Sequence, residues 1–64
     1  SLTEAEEKLK KAISLNSKNE NARFYLALLY IGQKNKAKAQ QIVDELKTLN
    51  SKHVESLQAK VDAL

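Results

Sequence analysis

"FYLALLYI" (Phe24–Ile31) is an unbroken apolar run, and its reading decides the fold. A run this short suits a buried strand as well as a segment of buried helix. Alanine and leucine dominate it, and helical patterning flanks it on both sides, so a helix is expected, from about Glu20 to Gln33. A helix that is apolar all round has to be covered on more than one side. Neighbouring elements must therefore supply that cover.

Upstream, Leu2, Ala5, Leu9, Ala12 and Ile13 recur mostly three and four apart, which predicts a helix over roughly 2–16. Thr3 and Glu6 have the form of a capping box that would start this helix after Leu2. "NSKNENA" (Asn16–Ala22) is a polar break; Ser17 with Glu20 forms one capping-box candidate, and Asn19 is a competing N-cap. Downstream, "GQKN" (Gly32–Asn35) breaks the chain again, with Gly32 suited to a helix C-terminus and Asn35 to capping the next helix. That third helix, 36–49, carries Ala39, Ile42, Val43, Leu46 and Leu49 on one stripe, with Lys38, Gln41, Asp44, Glu45, Lys47 and Thr48 largely off it. A last helix starts near Ser51 or Lys52 and covers roughly 53–63. Val54, Leu57, Val61 and Leu64 are expected to face inward, and Glu55, Gln58, Lys60 and Asp62 outward.

Composition agrees with an all-α fold. The 64 residues include no proline or cysteine and one glycine, while Ala, Leu, Lys, Glu and Gln are abundant. So short a chain makes one small domain with a thin core. No disulfide can staple it, and the lone His53 cannot build a zinc site. No apolar run approaches the roughly 20 residues of a membrane span, and nothing reads as a signal peptide. If Ser1 is not the natural start, a targeting segment could precede it. Cytoplasm is favoured, though the compartment stays open. Eleven Lys and Arg against eight Asp and Glu leave a mild +3. Glu4–Lys8, Glu6–Lys10 and Glu7–Lys11 are spaced i,i+4 with the acid first, the favourable order for pairing on a solvated helix face.

The tetrapeptide "LNSK" occurs twice, at Leu15–Lys18 and Leu49–Lys52, 34 residues apart. Under the same offset Ala5 falls on Ala39, Leu9 on Val43, Ala12 on Leu46 and Leu15 on Leu49. The first and third helices are two copies of one element, and the second and fourth are two copies of its partner. Leu57 falls on Arg23 and Leu64 on Tyr30.

Two helices per unit at this interval resemble the tetratricopeptide repeat (TPR) family. "ARFYLALLY" looks like the first helix of a repeat, with Leu26, Ala27 and Tyr30 matching the large, small and aromatic positions. Ala39 matches the small residue at the helix crossing, and Val43 the bulky position one turn later. Leu46 stands where the family prefers alanine, and Arg23 where it prefers Trp or a large apolar residue. Lys34 stands where a glycine commonly ends the first helix, Lys36 replaces a frequent aromatic, and Ser17 and Ser51 replace the closing proline. The resemblance implies that residues 1–18 are the second helix of a preceding repeat, 19–52 one full repeat, and 53–64 the first or capping helix of the next. It implies helix crossings at Ala5, Ala27 and Ala39. It also implies partner-binding positions at Asn21, Phe24, Leu28 and Ile31 on the concave side. These are mostly apolar, which suits a partner helix or peptide and not the Lys- and Asn-based carboxylate clamp of one TPR subclass. "ARFYLA" is similar to bacterial TPR proteins of envelope assembly, so an envelope location also stays open.

Little else in the chain carries chemistry. Glu6/Glu7 and Asp44/Glu45 are adjacent acids on different sides of a helix and cannot converge as an acid/base pair. His53 reads as a solvated turn residue, and the serines show no nucleophile motif. No glycine-rich phosphate loop is present. No enzyme activity, cofactor or metal is expected. "KNKAK" (Lys34–Lys38) with Lys8, Lys10 and Lys11 offers weak nucleic-acid binding as one alternative, but Phe24, Tyr25 and Tyr30 are expected to be packed and not free to stack on bases. The main expectation is a non-catalytic protein-interaction scaffold with an apolar groove. Its principal alternative is a homo-oligomerisation module whose apolar face covers another copy. Because about three repeats are normally needed for stability, the isolated chain is expected to self-associate or to belong to a longer repeat protein.

Overall fold

The structure, a computed structural model, describes residues 1–64. Four helices form, α1 (Leu2–Leu15), α2 (Glu20–Gly32), α3 (Lys36–Thr48) and α4 (Val54–Asp62), and no strand. The apolar run Phe24–Ile31 is helical throughout.

Three of the four helix starts are fixed by a side-chain cap. The Ser1 hydroxyl accepts from the Glu4 N–H (3.2 Å), and the Asn19 and Asn35 amide oxygens accept from Ala22 N–H (3.0 Å) and Lys38 N–H (3.2 Å). Each satisfies a backbone donor that the helix itself leaves unpaired. The expected Thr3 box is thus displaced: Ser1 caps two residues earlier, and Thr3 lies inside α1. Asn19 prevails over Ser17 for the same reason, since it stands next to the first residue of α2. Under the 34-residue offset, caps Ser1 and Asn35 coincide, as do the first residues of α2 and α4.

The helix ends depart further from expectation. Gly32 is the last residue of α2 and has an ordinary negative φ. The left-handed position is Lys34, with φ 58°. Its N–H donates to Ile31 O (2.9 Å), and the Asn35 N–H donates to Tyr30 O (2.9 Å). These are the two bonds of a Schellman cap, which a glycine would enter without Cβ strain. The second LNSK copy builds the same cap. Asn50 has φ 55°, its N–H donates to Lys47 O (3.1 Å), and the Ser51 N–H donates to Leu46 O (3.1 Å). In the first copy Asn16 is extended, with φ −145°, and its side-chain oxygen accepts from Lys18 N–H at 3.1 Å. One tetrapeptide therefore adopts two backbones.

The helices pack in sequence, α1 on α2, α2 on α3 and α3 on α4, and α2 also meets α4. No Cα of α1 comes within 8 Å of a Cα of α3 or α4. The core comprises Leu26, Ala27 and Tyr30 of α2, Ala39, Ile42, Val43 and Leu46 of α3, and Leu57 and Val61 of α4. Burying each of Leu26, Leu46 and Leu57 stabilises the fold by about 1.5–3 kcal/mol. Ala27 and Ala39 have no exposed surface, whereas Ala5 keeps part of its own. No residue of α1 is fully buried; Leu9 and Ile13 are half-covered.

Several residues expected inside are not. Leu15 is 79% exposed, because it ends α1 on the side away from the one helix that α1 meets. Leu2 is also exposed, and Leu64 lies beyond the end of α4 in solvent. Tyr25 is 58% exposed, so the aromatics are not all packed. Of the three expected i,i+4 pairs in α1, only Lys10–Glu6 closes, at 3.0 Å.

Candidate functional site: the faces of the second helix

Helix α2 touches the other three helices, and its side chains divide by direction. Ala22, Leu26, Ala27 and Tyr30 point into the core. Asn21, Phe24, Leu28 and Ile31, at spacings of three and four, occupy one flank of the opposite face. Asn21 is exposed, while Phe24, Leu28 and Ile31 are half-covered and rest against the core rim. Phe24 stacks on His53, with ring centroids 4.3 Å apart and planes tilted by 31°. It also meets Tyr25 edge-on at 5.4 Å. His53 is thus half-covered by an aromatic neighbour, not fully solvated as its turn position suggested. Together these residues form an open apolar shelf. The clefts of the molecule lie elsewhere, and none is lined by Asn21, Phe24, Leu28 or Ile31.

Each of the three seams between consecutive helices carries one polar lock that the sequence pattern did not reveal. Between α1 and α2, the Tyr30 hydroxyl donates to Glu6 Oε2 at 2.8 Å, and Lys10 completes the cluster on the same carboxylate. Between α2 and α3, Arg23 Nε donates to Glu45 Oε1 at 3.0 Å, and Arg23 Nη1 donates to the Ser17 carbonyl. Between α3 and α4, the Gln40 and Gln58 amides bond reciprocally at 2.7 and 2.8 Å. Gln58 thus faces α3 and not outward, and Glu45, expected off the apolar stripe, closes a seam. Arg23 replaces the large apolar residue of the resembled family by presenting its stem to the seam and its charge to Glu45. No buried side-chain polar atom is left without a partner. The missed signal was the pairing across helices, which spacing within one helix cannot reveal.

Electrostatics follow the first lock. The Lys10 ammonium and the Tyr30 hydroxyl, both bonded to Glu6, hold its carboxyl below the usual carboxylate range. Glu6 in turn raises Lys10. Burial pushes the Tyr30 phenol up, and its bond to Glu6 adds to that.

The third feature is a cleft of about 240 Å³ between α1 and α3. Its walls come from Lys10 and Ile13 of α1 and Lys38 and Ile42 of α3, and Leu26 and Tyr30 of α2 form its floor. It exists because α1 and α3 both lean on α2 without meeting each other.

No three His, Cys, Asp or Glu side chains gather where they could hold a metal ion. No helix is long and apolar enough to cross a membrane. No curated protein and no solved structure matches the chain. A family model described as tetratricopeptide repeat matches residues 1–61. With that match over nearly the whole length, and four helices packed in sequence on a 34-residue offset, the chain belongs to the tetratricopeptide repeat family, whose repeats as a class are typically non-catalytic and mediate protein–protein interaction.

Proposed function

We propose that this chain is a non-catalytic interaction module that holds a helix of a partner protein against the outer shelf of α2. One observation carries the reading: Phe24, Leu28 and Ile31 remain open on one side, next to an exposed Tyr25. Adjacent half-covered apolar and aromatic side chains on an exposed face favour a docking surface. Its flatness favours a helix over a small ligand, since small molecules need a concave site. Asn21 and His53 border it and offer hydrogen bonds at the rim. In this reading residues 1–18 complete a preceding repeat, 19–52 are a full repeat and 53–64 open the next. Contact of α2 with both α1 and α4 supports that division.

The test is capture of binding partners by the wild-type chain and by a Phe24→Ala, Leu28→Ala double variant, with helicity followed by circular dichroism. Loss of capture with retained helicity is expected. Equal capture by both proteins would reject the shelf as the contact surface.

A second reading, assembly of identical copies, is favoured by the exposure of Leu2, Leu15 and Leu64 near the two ends of the helix stack. Sedimentation over a wide concentration range separates the two. A mass that rises with concentration and falls in the double variant would favour assembly through the shelf.

A further inference from the structure

We propose that the cleft between α1 and α3 is a second, independent binding site, and that its occupant is an acidic amphipathic helix of another protein. Size is the first argument. At about 240 Å³ the cleft is smaller than the roughly 300–1,000 Å³ of small-molecule sites. It suits one or two side chains projecting from a larger partner. Its floor and walls, Ile13, Leu26, Ile42 and the Tyr30 ring, select an aliphatic anchor.

Charge is the second argument. Two carboxylates stand at the cleft, and both are engaged: Glu6 by Lys10 and the Tyr30 hydroxyl, and Glu45 by Arg23. Lys38 closes no ion pair of its own, although it stands near enough to Glu6 to favour that carboxylate, and its ammonium lies 5.7 Å from the centre of the Tyr30 ring. Lys10 stands on the opposite wall of the same end. The uncompensated charge of the cleft is therefore positive and concentrated where the floor is aromatic. A carboxylate reaching that end would meet Lys38 directly and share Lys10 with Glu6, while an aliphatic side chain one turn away fills the floor. Residues three or four apart on a helix present that pair of groups together. The Cα atoms of α1 and α3 stay more than 8 Å apart, so the cleft is walled by side chains and reached from outside the helix pair.

The site shares no predicted contact residue with the α2 shelf, so the two proposals fail separately. The probe is a capped alanine-based helical peptide with leucine on one stripe and glutamate one turn from each leucine. Isotope-labelled protein is titrated with it and followed by amide chemical shifts. Saturable shifts are expected at Ile13, Tyr30, Lys38 and Ile42, and Phe24 and Leu28 should stay unmoved. Replacing the peptide's glutamates by glutamine, or making Lys38→Glu in the protein, should each weaken binding about fivefold to tenfold, the size of a partly desolvated ion pair. A lysine-bearing peptide should recover binding to the Lys38→Glu protein. Equal affinity for the glutamate and glutamine peptides overturns the proposal, as do shifts confined to the shelf. So does a result in which only an oligothymidylate, and not the peptide, moves the cleft amides. A wild-type dimer that Lys38→Glu dissociates would assign the cleft to a second copy and equally reject it.

Discussion

Helices α1 and α3 are copies of one element, yet α3 buries Ala39, Ile42, Val43 and Leu46 while α1 buries nothing completely. They start at equivalent residues with equivalent caps. What differs is their surroundings: α3 lies between α2 and α4, whereas α1 meets α2 alone. A position in a repeat therefore has no fixed energetic weight. Leu49 is half-covered and its counterpart Leu15 lies in solvent, although the two tetrapeptides they begin are identical.

Paired truncation should show the largest consequence. Leu46→Ala removes a fully buried side chain and should cost about 2–5 kcal/mol. A single small core rarely supplies more than about 3–5 kcal/mol, so this variant should be mostly unfolded by urea titration followed at 222 nm. Leu9→Ala in α1 removes a half-covered side chain and should cost about 1–2 kcal/mol. Equal losses would mean that α1 is held as firmly as α3, and would break the comparison.

A smaller effect should separate the seams by pH. Glu6 is depressed, so the stability it gives the α1 seam is present above the ordinary carboxylate range and fades as pH falls through its lowered value. Lys10 and Tyr30 are raised, so their contribution is complete below their ordinary values, near 10, and fades as pH rises through the elevated ones. The α3–α4 seam is closed by two amides, which do not themselves titrate. Hydrogen exchange should show α1 opening before α3 and α4 at both pH extremes. Glu6→Gln should remove the acid limb of that difference; an unchanged acid limb would refute the assignment.

The smallest effect concerns the repeated tetrapeptide. Asn50→Gly places glycine at a left-handed residue and should stabilise by a few tenths to about 1 kcal/mol. Asn16→Gly places it at an extended residue, removes the bond to Lys18 N–H, and should destabilise by about 0.5–1 kcal/mol. The same substitution in the same four-residue string should thus change sign between copies, as thermal melts would register.

The chain alone determined where the helices are. Asparagine and serine at polar breaks, strong helix formers between them and a period of 34 are local signals, because capping and propensity act within a few residues. It also placed Leu26, Ala27, Tyr30, Ala39 and Val43 in the core. Sequence could not place Leu15, Leu64, Tyr25, Gln58 or His53 correctly. Their exposure depends on whether a second helix passes over the side chain. Gly32 does end α2, and the left-handed residue is Lys34, the position at which the family resemblance expects a glycine. Only the tertiary structure decided that α1 and α3 stand apart, and hence that a cleft with Lys10 and Lys38 opens above Tyr30. It alone joined Arg23 to Glu45 and Gln40 to Gln58, because residues many positions apart in the chain meet through packing, which no local pattern encodes.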